Sequence, residues 1–239
     1  MKYNKIINLF LITFFAISIT FAQNTVAEDN EKSEVTVEQE YLRTVEDVVI
    51  RELANSDNFD TKLVALQHIE DALSEGHSSP EIESALQDLA GEGILKETRK
   101  ANRLTNNYPQ IRSKACEMLG EIKTQNAEET LLKIVNAETE PMVLSSAVRS
   151  LGKIGINKNN EVTNAIAWVE HRYSIVNPTD SLAYEVLDTY EMLFDTIKTK
   201  EGQEAVINSI AQISANYRYV TPIRTKARDL LKTLSLTEE

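Results

Sequence analysis

The chain has 239 residues, a formal net charge of −12, seven Gly, five Pro, one Cys and 6% aromatic side chains. This composition argues against a β-rich fold, a collagen-like chain or a disulfide framework. General nucleic-acid binding is not expected either, because it needs a basic face that displaces counterions from phosphate.

Residues 1–22 begin with Met1-Lys2-Tyr3-Asn4-Lys5, continue with an apolar run from Ile6 to Ile19 and end in Thr20-Phe21-Ala22. A basic start, a short apolar core and small residues before Gln23 predict a cleavable export signal, the alternative being an uncleaved anchor. No Cys stands near the cleavage site, so a lipid-modified signal is not expected. Cleavage removes two Lys and no acid, leaving 23 basic against 37 acidic side chains, a net charge of −14. No other segment has the roughly 20 apolar residues that span a bilayer. The expected address is therefore periplasmic or secreted.

Residues 23–36 are polar and acidic and predict a disordered tether. From Val37 the pattern becomes helical, with Leu42, Val45, Val49 and Leu53 on one stripe and Thr36 and Gln39 placed for a capping box. Residues 37–239 then alternate helical stretches with short polar breaks. No strand-like alternation or Asn-Gly hairpin signal occurs, so the expected class is all-α. Pro80, Pro109, Pro141, Pro178 and Pro222 fall where helices should begin, with Ser79, Asn177 and Thr221 as caps.

The helices repeat. Pro109–Ile122 aligns with Pro141–Ile154 at an offset of 32, with six identities in fourteen positions. A third copy runs from Ile223 to Leu231, and weaker copies centre on Ala65 and Ala183. Ala65, Ala115, Ala147, Ala183 and Ala227 are thus spaced 50, 32, 36 and 44 residues apart. A β-branched residue, an Ala four later and a Leu or Ile four after that share one helix face, and the Ala marks a close helix–helix approach. Leu119 and Leu151 fill the groove beside it, while Gly120, Gly152 and Gly155 are expected to close their helices. Between these helices lie partner helices with stripes such as Ile82, Leu86 and Leu89. Each pair cannot bury its apolar face alone, so about four to five pairs must stack.

The segments Ala115–Ile122 and Ala147–Ile154 resemble the HEAT-repeat family of the armadillo-like group, in its short bacterial form Ala-x-x-x-Leu-Gly-x-Ile. The likeness covers roughly residues 58–235. The family's Arg after the first apolar position stands at Arg112 and Arg224, but Lys62, Leu144 and Asp180 replace it elsewhere. The resemblance implies a right-handed α-α superhelix, a solenoid used as a protein-binding scaffold. The whole chain also looks like small exported HEAT proteins of spirochaete type, which would place it in an envelope or periplasmic flagellar assembly.

Catalytic, cofactor and metal sites are not expected. His68, His77 and His171 are scattered, and Glu170-His171 reverses the His-Glu order of iron-binding relatives. No Gly-rich phosphate loop occurs, and Cys116 reads as a small buried hydrophobe. The spacing between the first two alanines is 18 residues longer than the regular offset. Within it Lys96, Arg99, Lys100, Arg103, Arg112 and Lys114 stand against Glu97, with Tyr108 nearby. These seven residues are the candidate surface for an acidic partner, the alternative being a solvated helix face. Trp168 with Tyr173, and Tyr217 with Tyr219, are candidate interface anchors. The expected function is a non-enzymatic scaffold for an envelope protein. A HEAT-like lyase acting in the groove and a subunit that self-associates through its end repeats are the alternatives.

Overall fold

The computed structural model describes residues 36–236; the expected signal and all but the last residue of the tether lie outside them. The chain divides into a unit up to Glu40 and a unit from Tyr41 onward. In the first, Thr36 and Gln39 exchange the two bonds of a capping box, at 3.0 and 3.2 Å. They open helix α1, Val37–Ala54.

The helices that follow are α2 Phe59–Ser74, α3 Pro80–Ala90, α4 Pro109–Ile122, α5 Gln125–Ala137, α6 Pro141–Ile154, α7 Glu161–Val176, α8 Asp180–Leu193, α9 Lys200–Ala215 and α10 Thr221–Leu236. Local chemistry sets many of their starts. Asn58, Ser79, Thr124 and Thr199 each accept a backbone N–H of the first turn, and Pro80, Pro109 and Pro141 occupy first positions. Asn177 ends α7 instead of capping α8, whose cap position holds Thr179.

Helices α2, α4, α6, α8 and α10 pack side by side in one layer, and α3, α5, α7 and α9 form a second layer behind them. The five repeat alanines all lie in the first layer and all are buried, as are Leu119 and Leu151. Their methyl groups face the space between helices, where Ile111, Leu131, Val143, Leu144, Ile166 and Val186 complete a continuous core. The architecture is therefore an all-α repeat stack. No helix among the described residues is long and apolar enough to cross a membrane.

Three features differ from the sequence-based expectation. Gly120 and Gly152 do not close their helices but lie inside them. A Cβ on Gly120 would meet Cα, Cβ and Oγ of Ser150 at 2.7–3.0 Å, and one on Gly152 would meet Thr189 Oγ1 at 3.0 Å. In α4 the contact leaves no room for an alanine without a shift of Ser150, whereas in α6 the Thr189 and Met192 side chains would have to give by a few tenths of an ångström. The closing positions are left-handed Lys123 and Gly155. In α1 the buried face is Asp47, Ile50 and Ala54, whereas Leu42, Val45 and Val49 are exposed. Apolar residues occupy most of the circumference of α1, so periodicity does not select a face. His77 bonded to Asp47 at 2.9 Å, and Lys62 bonded to the Ala54 carbonyl at 2.8 Å, turn the other side inward.

The insertion, finally, is not a helix face. It forms a short antiparallel hairpin, β1 Arg99–Lys100 with β2 Arg103–Leu104, around Ala101 and Asn102 in left-handed conformation (φ 49° and 63°). Two successive left-handed residues make the tight turn that matches strand twist. Ala-Asn adopts it here without the usual glycine.

Candidate functional site

The outward face of the first layer carries charge in register with the repeat. Two residues after its alanine, α4 has Glu117, α6 has Arg149 and α8 has Glu185. Arg149 Nη2 lies 2.6 Å from Glu185 and Nη1 lies 3.7 Å from Glu117, so one guanidinium ties three helices. The Glu185 carboxylate raises the already high pKa of Arg149 through their hydrogen bond. Six residues after the alanines, Glu121 pairs with Lys153 at 2.5 Å. The row extends through Lys114–Glu70 at 2.7 Å on one side and Lys226–Asp188 at 3.2 Å on the other. Lys226 also stands 4.9 Å over the ring of Tyr184. Among these charges Leu73 and Met118 line a depression of about 380 Å³ between α2, α4 and α6.

The seven candidate residues of the insertion do not form one surface. Arg112 is 1% exposed and belongs to the core. Its guanidinium donates to Glu138 at 2.6 and 3.2 Å, to the Glu92 carbonyl at 3.1 Å and to Asn107 Oδ1 at 2.9 Å. Glu138 in turn accepts the backbone N–H groups of Thr139 and Glu140, which fixes the turn that leads into α6. Desolvating a guanidinium is costly unless every donor direction is answered, and a bidentate carboxylate with two further acceptors answers it. Tyr108 packs on Phe59, with ring centroids 5.2 Å apart. Lys114 belongs to the charged row already described.

What remains exposed at the insertion is Lys96, Arg99, Lys100 and Arg103. Lys96 pairs with Asp88 at 3.3 Å and Arg99 with Glu97 at 2.8 Å. Lys100 and Arg103 stand opposite each other across the hairpin. Beneath it lies a buried network absent from the sequence reading. Lys62 Nζ donates to Glu92 at 2.8 Å, and Asn106 Nδ2 donates to Glu92 and to the Lys96 carbonyl, both at 2.6 Å. Asn106 Oδ1 accepts the Thr98 N–H at 2.8 Å. Gly93 is held against this network, where a Cβ would meet the Asn106 carbonyl at 2.5 Å. The hairpin is thus bolted to the stack.

Other ionisable groups sit in the core without a constellation. Burial pushes the Cys116 thiol far above its ordinary range, which keeps it protonated and unreactive. Glu170 is buried and burial pushes its carboxyl up to about 7. Ser209 Oγ lies 3.5 Å from one carboxyl oxygen, Tyr190 O–H donates to Ser209 at 3.1 Å, and Glu170 Oε1 has no partner. His171 is exposed on the next position. No group of three or more His, Cys, Asp or Glu side chains placed for a metal ion occurs among the described residues. Of the aromatic anchors, Tyr173 and Tyr219 are buried, Tyr173 donating to the Glu138 carbonyl at 3.0 Å. Trp168, under Arg172 at 5.3 Å, and Tyr217 are exposed.

The charged row was legible in principle, since its members recur at fixed distances from the alanines. The buried networks were not, because Glu92, Asn106 and Glu138 lie in segments without a repeat register.

Residues 101–173 match the family model for HEAT repeats. Among solved structures, a designed armadillo repeat protein is similar at 11% identity, over 77% of this chain and 98% of that one, with a TM-score of 0.41. A de novo designed 16-helix transmembrane nanopore is similar at 13% identity, over 83% of this chain and 62% of that one, with a TM-score of 0.17. None of the curated proteins matches the chain.

Proposed function

We propose that this helical-repeat protein, with HEAT repeats over residues 101–173, is a non-enzymatic scaffold that holds a partner protein of the cell envelope along the outward face of its first layer. The observation that carries this reading is the charged row from Glu70 to Lys226. It lines up donors and acceptors along five parallel helices around a depression that Leu73 and Met118 line among charged side chains. Apart from Glu185, which is buried, the members of the row are half-exposed or exposed, and pairs of that kind contribute little to folding, typically about 0–1 kcal/mol. They do give a surface alternating sign and fixed register, which selects one partner orientation over others. The rigid basic hairpin is a second contact for acidic groups of the same partner.

The periplasmic or secreted address rests on the N-terminal sequence alone. The test is site-specific photo-crosslinking of the tagged full-length chain in its own cells, with the crosslinker at Lys114. Capture of one defined protein, lost when Arg149 and Lys153 are both changed to Glu at an unchanged melting temperature, is the expected result. Equal capture by the charge-reversed chain, or by a crosslinker moved to Arg172 in the second layer, would overturn the reading.

A further inference from the structure

The turn before α7 meets the turn before α9. A cavity of about 630 Å³ opens there, lined by residues 157–160 together with Thr196, Lys198 and Thr199. The lining side chains are three Asn, two Thr and two Lys, with no carboxylate and no apolar residue, in a chain with 37 acids and 25 bases.

The walls are set before any ligand arrives. Asn157 Nδ2 donates to Thr196 Oγ1 at 3.1 Å and Asn160 Nδ2 to Thr199 Oγ1 at 2.8 Å, joining the two turns. Asn157 Oδ1 accepts the Thr163 N–H at 3.3 Å. Asn159 and Asn160 are both left-handed (φ 53° and 62°), and Gly202 presses on Asn160, where a Cβ would sit 2.5 Å from Nδ2. Thr199 already caps α9, so the helix terminus is not the donor on offer. What is on offer is side-chain chemistry. Lys198 takes part in no ion pair or side-chain hydrogen bond among the described residues, and neither does the amide of Asn159. Lys158 donates to Gln125 at 2.5 Å and has no ion pair. Glu128, whose carboxyl is pushed up by burial and by the neighbouring Glu161 and only partly drawn back by Lys158, lies nearby but outside the lining.

We propose that this cavity binds a small polyhydroxylated anion, a sugar carrying a phosphate or a carboxylate. The volume falls within the roughly 300–1,000 Å³ of small-molecule sites. The Asn159 amide, the Asn160 Oδ1 and the Thr199 O–H, none of them spent on the bonds that join the two turns, match sugar hydroxyls, which both donate and accept. The two ammonium groups, without carboxylate partners, supply the charge. The proposal does not rest on the scaffold reading, since the cavity and the charged row occupy different elements.

The test is isothermal titration of the full chain with glucose 6-phosphate, glucuronate, glucose and inorganic phosphate. The expected result is binding of at least one of the two anionic sugars at least tenfold tighter than glucose or phosphate; which of them binds tighter distinguishes a phosphorylated from a carboxylated source. Lys198→Glu should weaken it tenfold or more at an unchanged melting temperature, and Asn159→Gly, which removes the uncommitted amide at a left-handed position, should weaken it too. Phosphate alone binding as tightly as either sugar would remove the saccharide from the proposal. Absence of binding by both sugars, or binding indifferent to Lys198→Glu, would overturn it.

Discussion

Arg149 Nη2 lies 2.6 Å from Glu185 Oε1, and both residues stand two positions after the buried alanine of their own helix. Their separation of 36 residues equals the spacing of Ala147 and Ala183. The pair is therefore a consequence of the repeat: side chains at equal places on adjacent parallel helices meet at one height along the stack.

A contact of this kind is worth little in stability. A double-mutant cycle of Arg149→Ala and Glu185→Gln should give a coupling below about 1 kcal/mol that shrinks further in 1 M salt. A coupling of several kcal/mol, measured by urea unfolding, would mean that the row holds the fold together.

The buried counterpart should behave differently. Removing Glu138 by Glu138→Ala leaves Arg112 charged, 1% exposed and without its bidentate partner. Breaking a buried pair from one side costs about 3–5 kcal/mol. Chemical denaturation of this variant should show a loss of that size, and a loss below about 1 kcal/mol would contradict the network.

Close packing at Gly120 gives a steric test. Gly120→Ala adds a Cβ within 3.0 Å of Ser150, a contact that its neighbour's backbone cannot yield cheaply. Overpacking costs about 1–3 kcal/mol, and a gain of roughly 1 kcal/mol in helix propensity offsets part of it. Thermal unfolding should show a net loss, and Ser150→Gly in the same chain should recover some of it. Ala115→Leu, at a fully buried position, should lose a comparable 1–3 kcal/mol.

Glu170 makes stability depend on pH. Burial raises its carboxyl to about 7 in the folded chain, against an ordinary value of 4.5. Between those values the folded state binds more protons than the unfolded one, so stability falls as pH rises. The melting temperature should increase as pH is lowered from 8 toward 5. Glu170→Gln should remove most of that slope and raise the melting temperature at pH 8.

At the hairpin, reversing Lys96, Arg99 and Lys100 together to Glu should leave unfolding nearly unchanged, because all three are exposed. It should weaken capture of the crosslinked partner. Asn106→Leu reaches the same hairpin from below: it strips a donor from buried Glu92, with an expected cost of about 1–3 kcal/mol on thermal unfolding.

The repeat, the all-α class and the burial of Ala65, Ala115, Ala147, Ala183 and Ala227 are legible in the sequence, because helical periodicity writes neighbours on one face at fixed spacing. Positions that answer to a distant segment are not. Arg112 looks like one basic residue of a patch until Glu138, 26 residues later, draws it into the core. Gly120 looks like a helix stop until Ser150 lies against it. The apolar circumference of α1 offers several faces, and bonds from His77 and Lys62 select one. Local spacing thus determines which surfaces are apolar. Which charges are desolvated, and which helix axes come closest, is decided only when non-adjacent segments meet and every buried donor must find an acceptor.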